Sequence, residues 1–124
     1  MLDFQDLFRE LFDLEDPMDK YEWIIEYGIK THPTSTVNKS STNLVQGCTS
    51  NLWVEKIDDK IYCHGESLIV QGIASMICSW YNQASTKQQQ DFSLNTLTNI
   101  GLAPLLSMGR QNGVANLIAK IKTL

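Results

Sequence analysis

The chain has 124 residues, of which 43% are hydrophobic and 19% are charged, and its formal net charge is −4. This length and composition predict a single soluble globular domain over residues 1–124, and the apolar stretches are too short to span a membrane. The sequence has no basic stripe with interleaved aromatic residues, so we do not expect a nucleic-acid-binding protein.

The acidic residues are concentrated at the start of the chain. Residues 1–26 contain nine acidic and two basic side chains, whereas the remaining 98 residues contain five acidic and eight basic ones. Such a segment either forms solvated helix faces or steers a basic protein partner, which would make the chain a binding module without thiol chemistry. Because the first residues are acidic and do not resemble a secretory signal, we expect a cytoplasmic protein.

Two helices are predicted before residue 31. Apolar residues recur at i, i+3, i+4, i+7 and i+8 within residues 3–13, which predicts the first helix. Asp16 can cap a second helix that has Pro17 at its first position and runs to about Lys30. Residues 31–42 are rich in Thr, Ser, Pro and Asn, and this composition indicates a loop.

The middle of the chain predicts a small antiparallel sheet. Apolar and polar residues alternate in residues 51–56, and a second strand is expected over residues 60–64 after the turn signal Asp58-Asp59. Residues 44–46 can add a third strand. The pattern therefore predicts an α+β fold in which a sheet of about three strands packs against helices.

Four further helices are predicted after the sheet. Ser67 is a plausible cap for a long helix that ends near residue 83, and the near absence of charge in this segment indicates a buried helix. Shorter helical segments are expected at residues 85–90 and 92–99. A final amphipathic helix is predicted over residues 110–122.

Cys48 is the strongest candidate for chemistry. It lies in a short polar turn between two apolar runs, after Gly47 and before two small hydroxyl residues. A cysteine needed only for packing is more often found within an apolar run, because a free thiol behaves as a small hydrophobic group. Gly47 lets the backbone adopt a positive φ and lets another chain approach closely. This placement indicates a thiol that reacts with a partner.

The other two cysteines have packing positions. Cys63 lies in the second predicted strand and Cys78 lies in the long apolar helix. An alternative is that these two thiols and Cys48 hold a metal ion or an iron–sulfur cluster, with His64 or His32 as a fourth ligand. Structural zinc sites usually contain ligand pairs two to four residues apart, and this sequence has none, so we expect no metal and no bound cofactor.

A second alternative is a cysteine-dependent thiol enzyme, such as a small hydrolase or peroxidase. Its catalytic pair would be Cys48 with His64 as the base. His64 is the candidate base nearest to Cys48 in sequence, although we expect it to be exposed at the end of a strand. His32 is also expected to be exposed, in the polar loop.

Four segments of the chain resemble, in the same order, the motifs of the SufE-like sulfur acceptor family, which includes CsdE. The strongest is VQGCTSNLWV at residues 45–54, which is similar to the family's GCxSxxW signature. The others are KYEWIIEYG at residues 20–28, GES followed by IVQGI within residues 65–73, and LSMGRQNG at residues 106–113.

This resemblance implies a specific function. Cys48 would accept persulfide sulfur from a pyridoxal-phosphate cysteine desulfurase of the SufS or CsdA kind, raise its turnover, and pass the sulfur to an iron–sulfur scaffold. Such a protein is an enzyme only in a loose sense, and it has no cofactor, membrane or nucleic-acid partner of its own. We expect a monomer or a weak homodimer. The fold implied is the α+β fold shared with IscU-type scaffolds.

The resemblance also implies roles for several other residues. Gly47, Glu66, Arg110 and His64 are candidates for partner binding or for support of the loop around Cys48. Arg110 or backbone N–H groups of the turn could favour the thiolate. A leucine at position 44, 52 or 105 could cover the thiol when no partner is bound.

The chain also departs from the family pattern. Leu68 stands where an aspartate is usual, Gln71 where a basic residue is common, and Leu105 where many members have histidine. Met108-Gly109 replaces a Pro-Ser pair. These departures lie outside the Cys48 segment, so they leave acceptor chemistry intact but bear on which desulfurase is recognised.

Overall fold

The computed structural model describes residues 3–31, 37–102 and 105–124, and within these ranges it confirms the α+β class. Part of the predicted loop at residues 31–42, His32 included, lies outside the described residues. No helix in these ranges combines the length and the apolar character that crossing a membrane requires. The elements are α1 (Phe4–Leu7), α2 (Arg9–Phe12), α3 (Pro17–Thr31), β1 (Leu52–Ile57), β2 (Lys60–Gly65), α4 (Leu68–Tyr81), α5 (Thr86–Asp91), α6 (Leu94–Asn99) and α7 (Met108–Ile121).

The hairpin of β1 and β2 forms as the sequence predicts. The strands pair antiparallel, from Leu52 opposite Gly65 to Ile57 opposite Lys60. Both residues of the connecting turn, Asp58 and Asp59, have positive φ, as a tight hairpin turn whose twist matches the strands requires.

The third predicted strand, at residues 44–46, is reduced to one bridge. Leu44 pairs with Trp53, and the Val45 amide donates a hydrogen bond of 2.8 Å to the Leu52 carbonyl. The ladder stops there because the chain turns at Gly47, where φ is +80°. The sheet of the described residues therefore has two strands instead of about three.

Helix α4 lies at the centre of the fold. Twelve of its 14 residues are buried, as its lack of charged side chains predicts. It packs against α3, the hairpin and α7. Gln71 on α4 is buried: its side chain accepts a hydrogen bond of 2.5 Å from the Gly65 amide and donates one of 3.0 Å to the Ser75 hydroxyl. This residue therefore ties the end of β2 to the core.

The first predicted helix is divided in two. Phe8 separates α1 from α2 with a φ of −115° and a ψ of 36°, which lie outside the helical region. Its buried ring meets those of Trp23 and Tyr27 edge-on, at centroid distances of 6.3 and 5.4 Å. The segment is therefore helical on both sides of Phe8, as the apolar spacing predicts. The break at Phe8 places its ring against the aromatic residues of α3.

The predicted N-terminal caps are present, but some helices begin or end at residues other than the predicted ones. The Asp16 carboxylate accepts a 2.8 Å hydrogen bond from the Met18 amide, and Ser67 caps α4. Helix α7 begins at Met108, two residues before the predicted start, because Ser107 provides its cap with a 3.4 Å bond from the Arg110 amide.

The crossing of α3 and α4 generates a prediction about stability. A methyl group at Gly72 would lie 2.2 Å from the Ile24 carbonyl oxygen, so the two helices cannot keep this separation. We expect Gly72→Ala to lower the free energy of unfolding by about 1–3 kcal/mol in urea denaturation, although alanine favours helix formation. Ser79→Ala, in the same helix, should leave it nearly unchanged. Unchanged or increased stability of Gly72→Ala would contradict this packing.

The Cys48 loop as candidate functional site

The segment of residues 46–49, called the Cys48 loop below, lies directly on α7. The Cys48 sulfur is so close to this helix that a methyl group at Gly113 would be 2.8 Å from Sγ. In the same way, a methyl group at Gly109 would be 2.6 Å from Cγ2 of Thr49. Gly109 and Gly113 are one turn apart and form what we call the glycine face of α7. The absence of side chains on this face lets the loop approach the helix backbone.

The start of the loop is held by Asn116, one turn after Gly113. Its side-chain Nδ2 donates a hydrogen bond of 2.8 Å to the carbonyl of Gln46. A Cβ atom at Gly47 would lie 2.4 Å from the same Nδ2, and the φ of Gly47 is +80°. Position 47 therefore requires glycine for two reasons, the backbone conformation and the space left by Asn116.

The thiol of Cys48 is half-buried and packs against the hydrophobic core. This burial raises the pKa of Cys48, because a thiolate is less well solvated there than in water. Arg110 follows Gly109 on α7, but its guanidinium forms no ion pair with any residue that the structure describes. Burial is the cause of the raised pKa, which favours the neutral thiol of Cys48 over the thiolate.

The far end of the turn is joined to the start of α4 through Glu66. The Asn51 side chain donates a hydrogen bond of 2.9 Å to the Glu66 carboxylate, and the Glu66 amide donates one of 3.0 Å to the Asn51 carbonyl. Within the described ranges Glu66 forms no ion pair. These bonds join Glu66 to Asn51, and its role in partner binding or loop support stays a prediction.

The sequence pointed to a leucine as cover for the thiol, whereas the contact that the structure shows is with Gly113. Leu52 is fully buried, and Leu105 is half-buried with its carbonyl bound by the Tyr21 hydroxyl. The Cys48 thiol therefore lies between the backbone of α7 and the core, and the cover by one of these leucines stays a prediction.

The expected exposure of His64 is wrong. The side chain is only 8% exposed, and its ring stacks on that of Trp53 at 5.8 Å. Trp53 lies opposite it in the hairpin, and Lys39 lies over the Trp53 ring on the same face. Burial, followed by the charge of Lys39, lowers the pKa of His64. No hydrogen bond between described residues links it to Cys48, and the pairing of these two residues stays a prediction.

Cys63 and Cys78 have the packing positions that the sequence predicts. Both are buried, and a hydrogen bond to Cys63, together with burial, raises the pKa of Cys78 well above its ordinary value. Across residues 3–31, 37–102 and 105–124, no three His, Cys, Asp or Glu side chains are grouped as metal ligands would be.

Sequence reasoning missed the part that α7 plays in the site. Gly109 and Gly113 were considered only as positions of the LSMGRQNG motif, and Asn116 was not considered. The available signal was the spacing: two glycines four residues apart in an amphipathic helix reduce its stability, which indicates that something packs closely on that face.

Comparison with known proteins identifies the family. The model of the SufE family, described as an Fe-S metabolism associated domain, matches residues 5–124. The chain belongs to the SufE family. An uncharacterized SufE-like protein of Rhizobium meliloti is 31% identical over 120 residues, which cover 89% of this chain and 85% of that protein.

Two further relatives carry more specific names. The cysteine desulfuration protein SufE of Wigglesworthia glossinidia brevipalpis is 27% identical over 110 residues, covering 84% of this chain and 76% of that protein. SufE-like protein 1 of Arabidopsis thaliana, named chloroplastic/mitochondrial, is 24% identical over 119 residues, covering 92% of this chain but 32% of that protein. Family membership associates the chain with Fe–S metabolism.

The burial of Cys48 predicts its reactivity. Because the folded pKa is raised, Cys48 in the native protein should be alkylated by iodoacetamide several times more slowly at pH 7.5 than in urea, and its pH profile should have a higher midpoint. Cys63 and Cys78 should react more slowly still, since both are buried. Peptide mapping after timed alkylation measures all three. A Cys48 midpoint at or below that of the unfolded chain would contradict the covered position.

Proposed function

We propose that this protein accepts persulfide sulfur on Cys48 from a pyridoxal-phosphate cysteine desulfurase, raises the turnover of that enzyme and passes the sulfur to an Fe–S cluster scaffold. The observation that carries the proposal is the half-buried thiol of Cys48, which lies in a loop that turns at Gly47, in a chain of the SufE family. A relative named as a cysteine desulfuration protein supports it. A reducing cytosol is the setting we propose, since it keeps such thiols free.

The transfer step is a thiol exchange. The Cys48 thiolate attacks the outer sulfur of the persulfide on the desulfurase cysteine, forming a new S–S bond on Cys48. The bond between the two sulfurs of the desulfurase persulfide breaks, and its electron pair leaves with the desulfurase cysteine as a thiolate. Cys48 then holds the persulfide, and the proton lost from its thiol goes to solvent or to the departing thiolate. The exchange has no net oxidation or reduction.

The covered position of Cys48 suits a carrier and opposes the attack. Packing against α7 and the core limits the access of oxidants and unrelated thiols to a bound persulfide. The same burial disfavours the thiolate that has to attack. We therefore propose that the Cys48 loop leaves α7 when the desulfurase docks, and that groups of the partner then stabilise the thiolate.

Two exposed apolar residues lie close in sequence to residues that contact the Cys48 loop or the turn after it. Met108 is 74% exposed and precedes Gly109, which lies against Thr49, while Leu68 is 59% exposed and lies two residues after Glu66. Both stand where the family pattern has other residues. We propose that this apolar rim contacts the desulfurase of this protein and contributes to its choice of partner. Gln71, which stands where a basic residue is common in the family, is not part of this rim. It is buried, and its side chain accepts a hydrogen bond from the Gly65 amide.

The role of Cys48 is tested by substitution. Cys48→Ser should reduce the stimulation of a cysteine desulfurase to the turnover of the desulfurase alone, since an alcohol does not form a persulfide. The control is Ser79→Ala, which removes a hydroxyl from α4 and should retain stimulation. Sulfide release from free cysteine is the measurement, with circular dichroism to confirm the fold. Full stimulation by Cys48→Ser would refute the proposal.

The apolar rim gives a prediction about affinity. The double variant Leu68→Asp, Met108→Ser should raise the concentration needed for half-maximal stimulation about tenfold, because apolar area is no longer buried against the partner. Met18→Ser, which removes a methionine that is 65% exposed at the start of α3, serves as the control. An unchanged half-maximal concentration for the double variant would show that this rim does not contact the desulfurase.

A further inference from the structure

Asn116 holds a position that neither the motifs nor the comparisons assign. Its side chain is exposed on α7, yet it bonds to the carbonyl of Gln46, 70 residues away in sequence and two residues before Cys48. An exposed asparagine side chain without a hydrogen-bond partner would contribute little to the stability of the fold, but Asn116 has a partner. The contact it makes is with the backbone of the loop that presents the thiol.

The contacts of α7 with the loop form an ordered series. Asn116 meets Gln46 and Gly47, Gly113 meets Cys48, and Gly109 meets Thr49, so the loop runs antiparallel to the helix across two turns. The contacts at Gly113 and Gly109 are packing contacts with no directional bond. The amide of Asn116 adds a directional hydrogen bond at the start of the loop, where the backbone turns at Gly47.

The geometry points to Asn116 as a positioning residue for Cys48: its hydrogen bond to the Gln46 carbonyl fixes the loop on α7 with the thiol covered by Gly113. This inference rests on the proposed function for its purpose, since release of this bond is the step that lets the loop present Cys48 to a desulfurase. Asn116 does not touch the reacting sulfur itself.

The test measures Cys48 alone and needs no desulfurase. In Asn116→Ala, iodoacetamide should alkylate Cys48 about two- to tenfold faster at pH 7.5, the factor that corresponds to one ordinary hydrogen bond. The midpoint of the pH profile should fall toward that of the unfolded chain, because the loop spends more time away from the core. Asn95→Ala, which removes an exposed asparagine from α6, should change neither quantity.

The two buried cysteines and a second variant distinguish release of the Cys48 loop from destabilisation of the whole fold. Peptide mapping follows Cys63 and Cys78 in the same samples, and their rates should stay unchanged if only the loop is released. Gly113→Ala places a methyl group against the Cys48 sulfur, so it should also accelerate alkylation of Cys48 and shows that the assay detects uncovering.

Two results would overturn the inference. One is an unchanged Cys48 rate in Asn116→Ala while Gly113→Ala reacts faster; the other is an equal rise at all three cysteines, which indicates general destabilisation. The outcome is independent of the proposed function. If Asn116→Ala accelerates only Cys48 but the wild-type chain stimulates no desulfurase, the positioning role stands and the sulfur-acceptor role fails.

Discussion

The Cys48 loop lies on α7 without intervening side chains, because Gly109 and Gly113 leave the helix backbone bare on that face. This contact places the thiol that we propose as the sulfur acceptor in a position that disfavours the thiolate. Burial is the cause, because it raises the pKa of Cys48. The thiol is thus covered, and the proposed sulfur transfer requires that this cover be removed.

The rest of the fold fixes the two ends of this arrangement. Helix α4 is buried among α3, the hairpin and α7, and Gln71 on it bonds to the last residue of β2. Glu66, between β2 and α4, bonds to Asn51 beyond the Cys48 loop. The loop therefore joins a rigid hairpin at one end and is bound to α7 through Asn116 at the other. The proposed release would therefore break the contacts with α7 and with the core at Cys48, while the hairpin contacts at Asn51 are separate from them.

Local patterns in the sequence predicted most elements of this fold. Apolar spacing and the caps at Asp16 and Ser67 predicted the helices, and the turn residues around Cys48 made it the candidate for thiol chemistry. The burial of His64 and the contact of Cys48 with Gly113 were not predicted. Both depend on which distant segments pack together, and no local pattern specifies that. The family resemblance supplied the function, while the means of covering the thiol came only from the three-dimensional structure.

Formation of a persulfide on Cys48 is the central claim, and intact-protein mass spectrometry tests it most directly. The protein is incubated with a cysteine desulfurase and free cysteine, and any adduct is located by peptide mapping. We expect the added mass of one or more sulfur atoms on Cys48, removed by a thiol reductant, with Cys63 and Cys78 unmodified. Sulfur absent from Cys48 with several desulfurases, or found equally on the buried cysteines, would contradict the claim.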